Sequence, residues 1–347
     1  MTALTVPESY RQAHRYDGAA VEHGRRSTIE PCAVQPRDLA IVHDVYRYKF
    51  LTAPQLRELW WPNASVQAAD RRLLRLFRAG LLERFRPWAR RGLGSFPWTY
   101  HLGEEGHRLL HEAGALGQRK RFRRRTIFDY GYVLHEVHLN AWVLAYKRAL
   151  GPAFHSWEGE TAIDPPPNFH PSRAELDDDW SVEGLAPGPV RPVYPDAVLE
   201  IAGETPEAES RLILVEYDRT RRIDKNFDKF IRYDAFLTAW WQHAEAGRRA
   251  APPFVLFVCQ DEEQRDLFLD AADGHLCGHH WHPDVDADGW PHPARQRILF
   301  ASERDAHGGS ALAHRVPAVP AGHTGRRPEP RRVLVGPSTV TAASMSS

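Results

Sequence analysis

Residues 194–222 constrain the fold more than any other segment, because they join an apolar strand to a dense group of charges. The segment reads YPDAVLEIAGETPEAESRLILVEYDRTRR and predicts two β-strands connected by a polar hairpin. Alternation along the second strand places Glu216 and Asp218 on one face, near the end of that strand. If the two strands pair antiparallel, Asp196 of the first strand lies next to Glu216. The sequence therefore predicts a group of carboxylates at one edge of a sheet.

Such a group of acids needs a positive charge among its members, since close carboxylates repel one another. A hard divalent cation, Mg²⁺ or Mn²⁺, meets this need, because it takes oxygen ligands, holds a phosphate and activates a water molecule. A purely structural alternative stays open. The acids would then pair with Arg219, Arg221 and Arg222, which follow the second strand, or with lysines of the next helix.

Residues 36–116 contain a different pattern, in which three amphipathic helical segments precede two strands. The third helical segment, VQAADRRLLRLFRAG, is strongly basic, and the strands LLERFRPW and PWTYHL flank the basic, glycine-rich loop ARRGLGSF. This order is typical of a winged helix-turn-helix, whose third helix enters the major groove and whose hairpin reaches adjacent phosphates. The candidate DNA-binding residues are Arg71, Arg72, Arg75 and Arg78 on the helix and Arg90 and Arg91 in the hairpin.

The charge distribution favours an anionic partner for this region. The whole chain has 45 basic and 45 acidic residues, whereas residues 66–126 contain 15 Lys and Arg against 5 Asp and Glu. Arginines at such density supply bidentate phosphate contacts and release counterions from DNA. A basic face that binds an acidic protein in a scaffold is the alternative, and a steep loss of DNA affinity with salt would argue against it.

The sequence predicts five segments of different composition along the whole chain. A long helix and several strands alternate with helices after the basic module, which favours an α/β or α+β domain around a mixed sheet. We predict a flexible N-terminal tail at 1–35, the winged helix-turn-helix at 36–116, a basic linker at 117–126, the mixed-sheet domain at 127–305 and a disordered C-terminal tail at 306–347.

Cysteine usage and hydropathy favour a cytoplasmic location. The three cysteines are too few and too scattered for a disulfide framework. The first residues contain no apolar core of signal-peptide length, and no apolar run reaches the length of a membrane span, so we expect no membrane association.

Two resemblances refine these expectations. Pro195-Asp196 followed by Glu216-Tyr217-Asp218 resembles the PD-(D/E)xK nuclease signature. The wider layout resembles the replication-relaxation family, through a basic N-terminal module, LHEVHLN, PDAVLEI and LVEYDRTRR…KFIRYDAF. The resemblance implies a restriction-endonuclease-like domain at 127–305 and a role in plasmid replication and DNA relaxation.

The nuclease resemblance implies specific roles for five residues. Asp196 and Glu216 would bind Mg²⁺ or Mn²⁺, with Asp218 as a further ligand or as the group that orients water. Asp218 stands where the nuclease signature has lysine, and Lys229 on the next helix would supply the missing charge, with Lys225 as the other candidate. Glu136 on the long helix resembles an additional metal-binding acid of some of these nucleases.

The expected function is therefore that of a DNA-binding protein of a plasmid or phage, acting in replication or DNA relaxation. Two alternatives stay open for the second domain. In one it nicks or cleaves DNA with Mg²⁺, and in the other it is a degenerate nuclease used for assembly by a non-catalytic transcriptional or replication regulator. The expected partners are double-stranded DNA, replication or mobilisation proteins and a second copy of the chain in a homodimer.

Overall fold

The chain divides into two compact units, Thr2–Val143 and Leu144–Ser347. Each unit contains its own β-sheet. The computed structural model describes residues 20–87, 96–116, 122, 125, 127, 130–159, 193–203, 209–218, 229–230, 232–234, 236–237, 241, 252–276, 297–309, 311–315 and 331–334.

The N-terminal unit combines a small antiparallel sheet with helices. Its elements are β1 (Val21–His23), α1 (Pro36–Tyr48), β2 (Leu51–Thr52), α2 (Ala53–Trp60), α3 (Val66–Arg78), β3 (Leu82–Pro87), β4 (Thr99–Leu102), α4 (Glu104–Glu112) and the first part of α5 (Gly131–Leu150). The strand order is β1-β3-β4-β2, and every pair is antiparallel. The three helices and two strands predicted within residues 36–102 are all present.

Local sequence signals explain where these helices begin and end. Thr52 caps α2, because its hydroxyl accepts a hydrogen bond from the backbone N–H of Gln55 while the Gln55 side chain accepts from the backbone N–H of Thr52. Gly80 follows α3 with a φ of +72°, a conformation that glycine adopts without steric cost. Both signals are local, so they can be recognised in the sequence alone.

Helix α5 holds the chain between α1 and β2 through buried polar contacts. Lys49 has a φ of +61°, and its ammonium forms a 2.6 Å ion pair with the carboxylate of Glu136. One turn further along α5, the side-chain amide of Asn140 donates hydrogen bonds to the carbonyls of Tyr48 (2.9 Å) and Phe50 (2.6 Å). Because these groups are buried, each polar atom depends on the others for its hydrogen bonds.

We expect Glu136→Ala to lower the free energy of unfolding by about 3 kcal/mol, because it leaves the Lys49 ammonium buried without its counter-charge. The double variant Lys49→Met with Glu136→Leu should recover most of this loss, since neither charge is then buried. Urea unfolding followed by circular dichroism measures both effects. Equal midpoints for Glu136→Ala and the unaltered protein would contradict the prediction.

The C-terminal unit is built on a seven-stranded mixed sheet. Its further elements are β5 (Phe154–Gly159), β6 (Ala197–Ile201), β7 (Arg211–Asp218), β8 (Phe254–Cys259), α6 (Glu262–Leu276), β9 (Ile298–Ser302), α7 (Glu303–His307), β10 (Leu312–Arg315) and β11 (Arg331–Leu334). The strand order is β11-β10-β9-β8-β7-β6-β5. Strands β7, β8 and β9 run parallel, and the pairs on either side of them are antiparallel.

Strand β8 lies in the middle of this sheet, and its apolar sequence FVLFVC reflects burial on both faces. The ring of Phe257 on β8 stacks on that of Phe300 on β9, with centroids 5.4 Å apart. It also meets the ring of Phe230 edge-on, with centroids 4.9 Å apart. These aromatic contacts fix the helical residues around position 230 against the sheet.

Three of the predicted boundaries need correction. The predicted flexible tail at 1–35 includes β1, which pairs with β3. The predicted disordered tail at 306–347 includes β10 and β11, which extend the second sheet beyond β9. The second unit begins at Leu144 rather than at residue 127, because the start of α5 packs into the aromatic core of the N-terminal unit.

The pairing of β1 and of β10 depends on distant strands, so local composition does not reveal it. The chain is a mixed α+β protein, as predicted. Within the part of the chain that the structure describes, no helix has both the length and the apolar character needed to span a membrane.

Candidate functional site

The predicted carboxylate group lies at the junction of strands β6 and β7. These strands are antiparallel, with Ala197 opposite Val215, and the backbone N–H of Asp196 donates to the carbonyl of Val215 at 2.8 Å. The Asp196 carboxylate in turn accepts a 2.8 Å hydrogen bond from the backbone N–H of Tyr217. Asp196 therefore lies beside Glu216, as the hairpin pattern predicted. The Asp196 side chain adds one hydrogen bond to a backbone group of β7.

Glu216 is almost completely buried, with 3% of its surface exposed. One of its carboxylate oxygens accepts a hydrogen bond from the Lys229 ammonium and the other accepts from the Tyr233 hydroxyl. Lys229 and Tyr233 are four residues apart in a helical segment, so they present their side chains on one side. Phe230, which lies between them in sequence, packs in the hydrophobic core against Phe257 of β8 and so holds this segment against the sheet.

The electrostatics of the cluster follow from burial and from an excess of negative charge. Burial raises the pKa of Glu216 to about 7, and the charge of Asp196 adds to this shift while Lys229 and Tyr233 oppose it. Burial works to lower the pKa of Lys229, but the charges of Glu216, Asp196 and Asp218 outweigh it and raise that pKa. Lys229 is therefore a protonated ammonium at neutral pH.

Asp218 ends strand β7 and is also buried, with 8% of its surface exposed. Its neighbour in the parallel ladder is Cys259 of β8, and its backbone carbonyl accepts a 3.2 Å hydrogen bond from the side chain of Gln264. The charge of Asp218 contributes to the raised pKa of the buried Cys259 thiol, for which burial itself is the larger cause. Asp218 thus lies within electrostatic range of both β8 and Lys229.

The arrangement described does not fit a divalent metal ion. Both oxygens of Glu216 and one oxygen of Asp196 are already hydrogen-bonded to protein donors. Among the described residues, no group of three or more His, Cys, Asp or Glu side chains is placed to hold a metal ion. Glu136 pairs with Lys49 in the N-terminal unit instead. Among the described residues, the Lys229 ammonium is hydrogen-bonded to Glu216 of this group. The other candidate partners, Arg219, Arg221, Arg222 and Lys225, lie outside the described residues.

Helix α3 carries the second candidate site, a basic surface formed by Arg71, Arg75 and Arg78. All three are exposed, whereas Leu73, Leu76 and Phe77 on the other side of the helix are buried. We call this surface the α3 arginine face.

Arg72 differs from its neighbours on α3. Its guanidinium forms two hydrogen bonds with the fully buried carboxylate of Asp38 on α1 and a third with the carbonyl of Ala33 at 3.0 Å. The structure thus gives Arg72 a role in joining α1 to α3. The hairpin arginines Arg90 and Arg91 lie outside the described residues.

The sequence analysis missed a stack of guanidinium and aromatic groups that includes Phe77 on the buried side of α3. The guanidinium of Arg84 lies between the rings of Phe77 and Trp98, at 4.5 and 4.3 Å from their centroids, and Arg86 lies 4.6 Å from the Trp98 ring. Arg84 and Arg86 lie on the same face of β3 because side chains alternate along a strand. This alternation is the sequence signal that could have revealed the pair. The contact with Phe77 depends on tertiary packing.

The sequence analysis also missed Glu303, the first residue of α7. One oxygen of its carboxyl is buried and has no hydrogen-bond partner among the described residues. Burial raises the pKa of Glu303 to about 8. The residue directly follows β9, at the same end of the parallel strands as Asp218 and Cys259.

Both candidate sites fall within one known family. The model of a family described as replication-relaxation matches residues 42–249, which is more than half of the 347-residue chain. The chain belongs to the replication-relaxation family. No curated protein and no solved structure matches it. The matched residues of this replication-relaxation protein include α3, the contacts of Glu136 and Asn140 on α5, and Asp196, Glu216 and Lys229.

We expect Glu303→Gln to stabilise the protein above neutral pH, because the unaltered side chain must bury a charge there. The folded pKa is raised, so the contribution of Glu303 to stability is present below about pH 4.5 and is lost as the pH rises through about 8. As the pH rises from about 4.5 to about 8, the melting temperature of Glu303→Gln should increase relative to that of the unaltered protein by roughly 5 °C. A difference in melting temperature that does not change with pH would refute this.

Proposed function

We propose that this protein binds double-stranded DNA through the α3 arginine face and acts in the replication or relaxation of a mobile element. In this proposal the N-terminal unit is a winged helix-turn-helix, with α3 as the helix that enters the major groove. The observation that carries the proposal is the division of α3 into a buried apolar side and an exposed side with three arginines. Membership of the replication-relaxation family supports the biological setting.

The contacts of each arginine support this assignment. Arg72 is neutralised by Asp38, which leaves Arg71, Arg75 and Arg78 as the basic residues of α3 that face outward. Arg78 forms a long, exposed ion pair with Glu30, at 3.7 Å, and such pairs contribute little to stability. Phosphate groups can therefore replace this partner at small cost, as DNA binding by an arginine face requires.

The exposed first turn of α3 also supports DNA binding. Ser65 caps the helix, and its first residues, including Val66 and Gln67, are exposed beside Arg71. Residues near the start of such a helix are those that contact base edges in helix-turn-helix proteins. We propose Gln67 and Arg71 as the base-contacting residues and Arg75 and Arg78 as phosphate contacts.

We further propose replication or mobilisation proteins and a second copy of the chain as partners. A helix-turn-helix that binds a pseudo-palindromic site as a dimer gains two half-sites one helical turn of DNA apart. Sedimentation of the protein with and without its DNA site tests the homodimer. A single protomer on each half-site, with no cooperativity, would contradict it.

We expect the double variant Arg71→Ala with Arg75→Ala to bind duplex DNA at least tenfold more weakly at low salt. The slope of log K against log salt concentration should fall by about two, because each phosphate contact adds about one counterion to that slope. Fluorescence anisotropy of a labelled duplex over a series of salt concentrations measures both quantities.

The matched control for this experiment is Arg304→Ala, which removes an exposed arginine from the C-terminal unit. It should leave the affinity and the salt slope unchanged. Arg72→Ala is the second comparison, and it should lower the melting temperature because the Asp38 carboxylate is left buried and unpaired. Equal losses of affinity in Arg304→Ala and the double variant would show that the α3 arginine face is not the binding surface.

For the C-terminal unit we propose the non-catalytic alternative, in which a nuclease-like domain serves assembly. The sequence analysis also raised Mg²⁺-dependent or Mn²⁺-dependent DNA cleavage by Asp196, Glu216, Asp218 and Lys229. The placement of the described acids supports the non-catalytic alternative, because Asp196, Glu216 and Asp218 form no group of three placed to hold a metal ion.

We expect supercoiled plasmid to be bound but not converted to open circles when it is incubated with the protein and Mg²⁺ or Mn²⁺. Agarose gel electrophoresis after removal of the protein measures conversion, and a gel-shift assay of the same mixture measures binding. Asp196→Ala and Glu216→Ala are the matched variants. Metal-dependent conversion that both substitutions abolish would establish the nuclease instead.

A further inference from the structure

A groove lies beside the C-terminal end of α3 in the N-terminal unit. Residues 29–34, the turn that follows α3 and one face of α4 line this groove, which encloses about 240 Å³ and is partly open to solvent. Leu81 and Leu109 contribute apolar side chains to the lining. We call it the α4 groove. Sites for small molecules are usually larger, at about 300–1,000 Å³, so this volume suits one or two large side chains of another chain.

Exposed apolar side chains border the α4 groove. Ile29 is 57% exposed and Val34 is 43% exposed, and both line the groove. Among the described residues, the other exposed large apolar side chains are Val66 and Tyr194, and neither lines the groove. Apolar side chains that are exposed together beside a polar rim indicate a protein-binding surface.

The polar part of the lining is mainly acidic. Glu30, Glu105 and Glu112 line the groove, and Arg108 is the basic residue among the described lining residues. Arg108 forms exposed ion pairs with both Glu105 and Glu112, and a single guanidinium does not balance two carboxylates. Residues 66–126 as a whole are basic, with 15 Lys and Arg against 5 Asp and Glu. The groove therefore differs from its surroundings, because it repels phosphate and attracts a basic partner.

We propose that the α4 groove binds a segment of a partner protein in which basic residues flank a large apolar side chain. The apolar side chain packs against Ile29, Val34 and Leu109, and the basic residues pair with the carboxylates of the rim. This groove is then the surface for the protein partners of the proposed function. The identity of the partner as a replication or mobilisation protein rests on that function, whereas binding in the groove does not require DNA.

The walls of the groove are fixed before a partner binds. The backbone N–H of Glu30 donates to the carbonyl of Arg78 at 3.1 Å, and the guanidinium of Arg72 donates to the carbonyl of Ala33 at 3.0 Å. Both contacts tie residues 29–34 to α3. A surface that is already ordered loses little conformational entropy on binding, which favours affinity.

The existing ion pairs of the rim are weak enough for a partner to replace. The pair of Arg108 with Glu112 is 3.8 Å long, and the pair of Arg78 with Glu30 is 3.7 Å long. Both are exposed, and such pairs contribute little to stability. Basic residues of a partner can therefore gain these carboxylates at small cost.

Charge argues against a second copy of the chain as the occupant. A twofold dimer places the same surface of both protomers face to face. Two acidic rims would then oppose each other, and like charges across an interface disfavour association. A basic segment of a different protein has the complementary charge.

The test begins with a phage-displayed library of random peptides, selected on DNA-free full-length protein. Peptides that bind the double variant Ile29→Ser with Val34→Ser equally well are removed by counter-selection. The remaining peptides should contain Lys or Arg on both sides of a large apolar residue. A fluorescent synthetic copy of the most enriched peptide then serves as the probe in anisotropy measurements.

The acidic rim is tested with the double variant Glu105→Gln with Glu112→Gln. It should bind the probe about tenfold more weakly at low salt, because two carboxylates are lost and Arg108 then repels the probe. Rising salt should weaken the probe in the unaltered protein. The matched controls are Val66→Ser and Glu262→Gln, which remove an exposed apolar and an exposed acidic side chain outside the groove and should leave the affinity unchanged.

Cys32 reports the position of the bound probe, because it lines the groove and is partly exposed, whereas Cys259 is buried. Probe at about ten times its dissociation constant should slow alkylation of Cys32 by iodoacetamide about tenfold, because few groove sites stay open. Mass spectrometry of proteolytic peptides measures the alkylation of Cys32 separately from that of Cys277. Serine in place of the apolar residue of the probe should abolish this protection without any change to the protein.

Three results would overturn the proposal. The first is a selection that enriches no peptide, or peptides without basic residues. The second is a probe that binds the folded variant Glu105→Gln with Glu112→Gln as tightly as the unaltered protein, or that leaves alkylation of Cys32 unchanged. The third is a dimer in sedimentation that Ile29→Ser with Val34→Ser dissociates, because the groove would then hold a second copy.

Circular dichroism establishes that each variant is folded. The probe is measured without DNA, so failure of the α3 arginine variants to weaken DNA binding would leave these results unaffected. Failure of the groove and failure of the proposed function are therefore distinguishable.

Discussion

The burial of the Glu216 carboxylate in strand β7 is the constraint on which the C-terminal unit depends. Strand β7 lies where the antiparallel and parallel parts of the sheet meet. Its consecutive residues 213–218 are all buried, so both of its faces are covered and a charge there loses its hydration. Lys229 and Tyr233 compensate for that loss with hydrogen bonds to both carboxylate oxygens. The helical segment that carries them is fixed in turn by Phe230 in the aromatic core. Electrostatics and packing therefore determine one position for this segment.

The N-terminal unit compensates its buried charges in the same way. Asp38 is fully buried and receives two hydrogen bonds from Arg72, and Glu136 pairs with Lys49. These pairs divide the basic residues into two classes. Those with a buried acidic partner stabilise the fold, and those on the exposed side of α3 are the residues that we propose for DNA binding. The distinction matters because the sequence presents Arg71 and Arg72 as equivalent neighbours.

Membership of the replication-relaxation family gives these observations a setting. In this chain the segment LHEVHLN contains Glu136 and Asn140, whose side chains are hydrogen-bonded to residues 48–50 between α1 and β2. Its polar residues therefore have a structural task in the N-terminal unit. The segment LVEYD supplies Glu216 and Asp218, and KFIRYDAF supplies Lys229 and Tyr233. These two segments meet in the buried cluster, which explains why both carry charged residues beside apolar ones.

The sequence by itself determined the local elements and the first pair of the cluster. Helix caps, the alternation of strands and a short hairpin are local, so Thr52, Gly80 and the adjacency of Asp196 and Glu216 followed from residues near one another in the chain. Only the tertiary structure decided that β1 and β10 join sheets, that Arg72 pairs with Asp38 and that Lys229 neutralises Glu216. These outcomes depend on contacts between residues that are far apart in sequence. A side chain pairs with the charge that folding brings closest, and no local pattern encodes that distance.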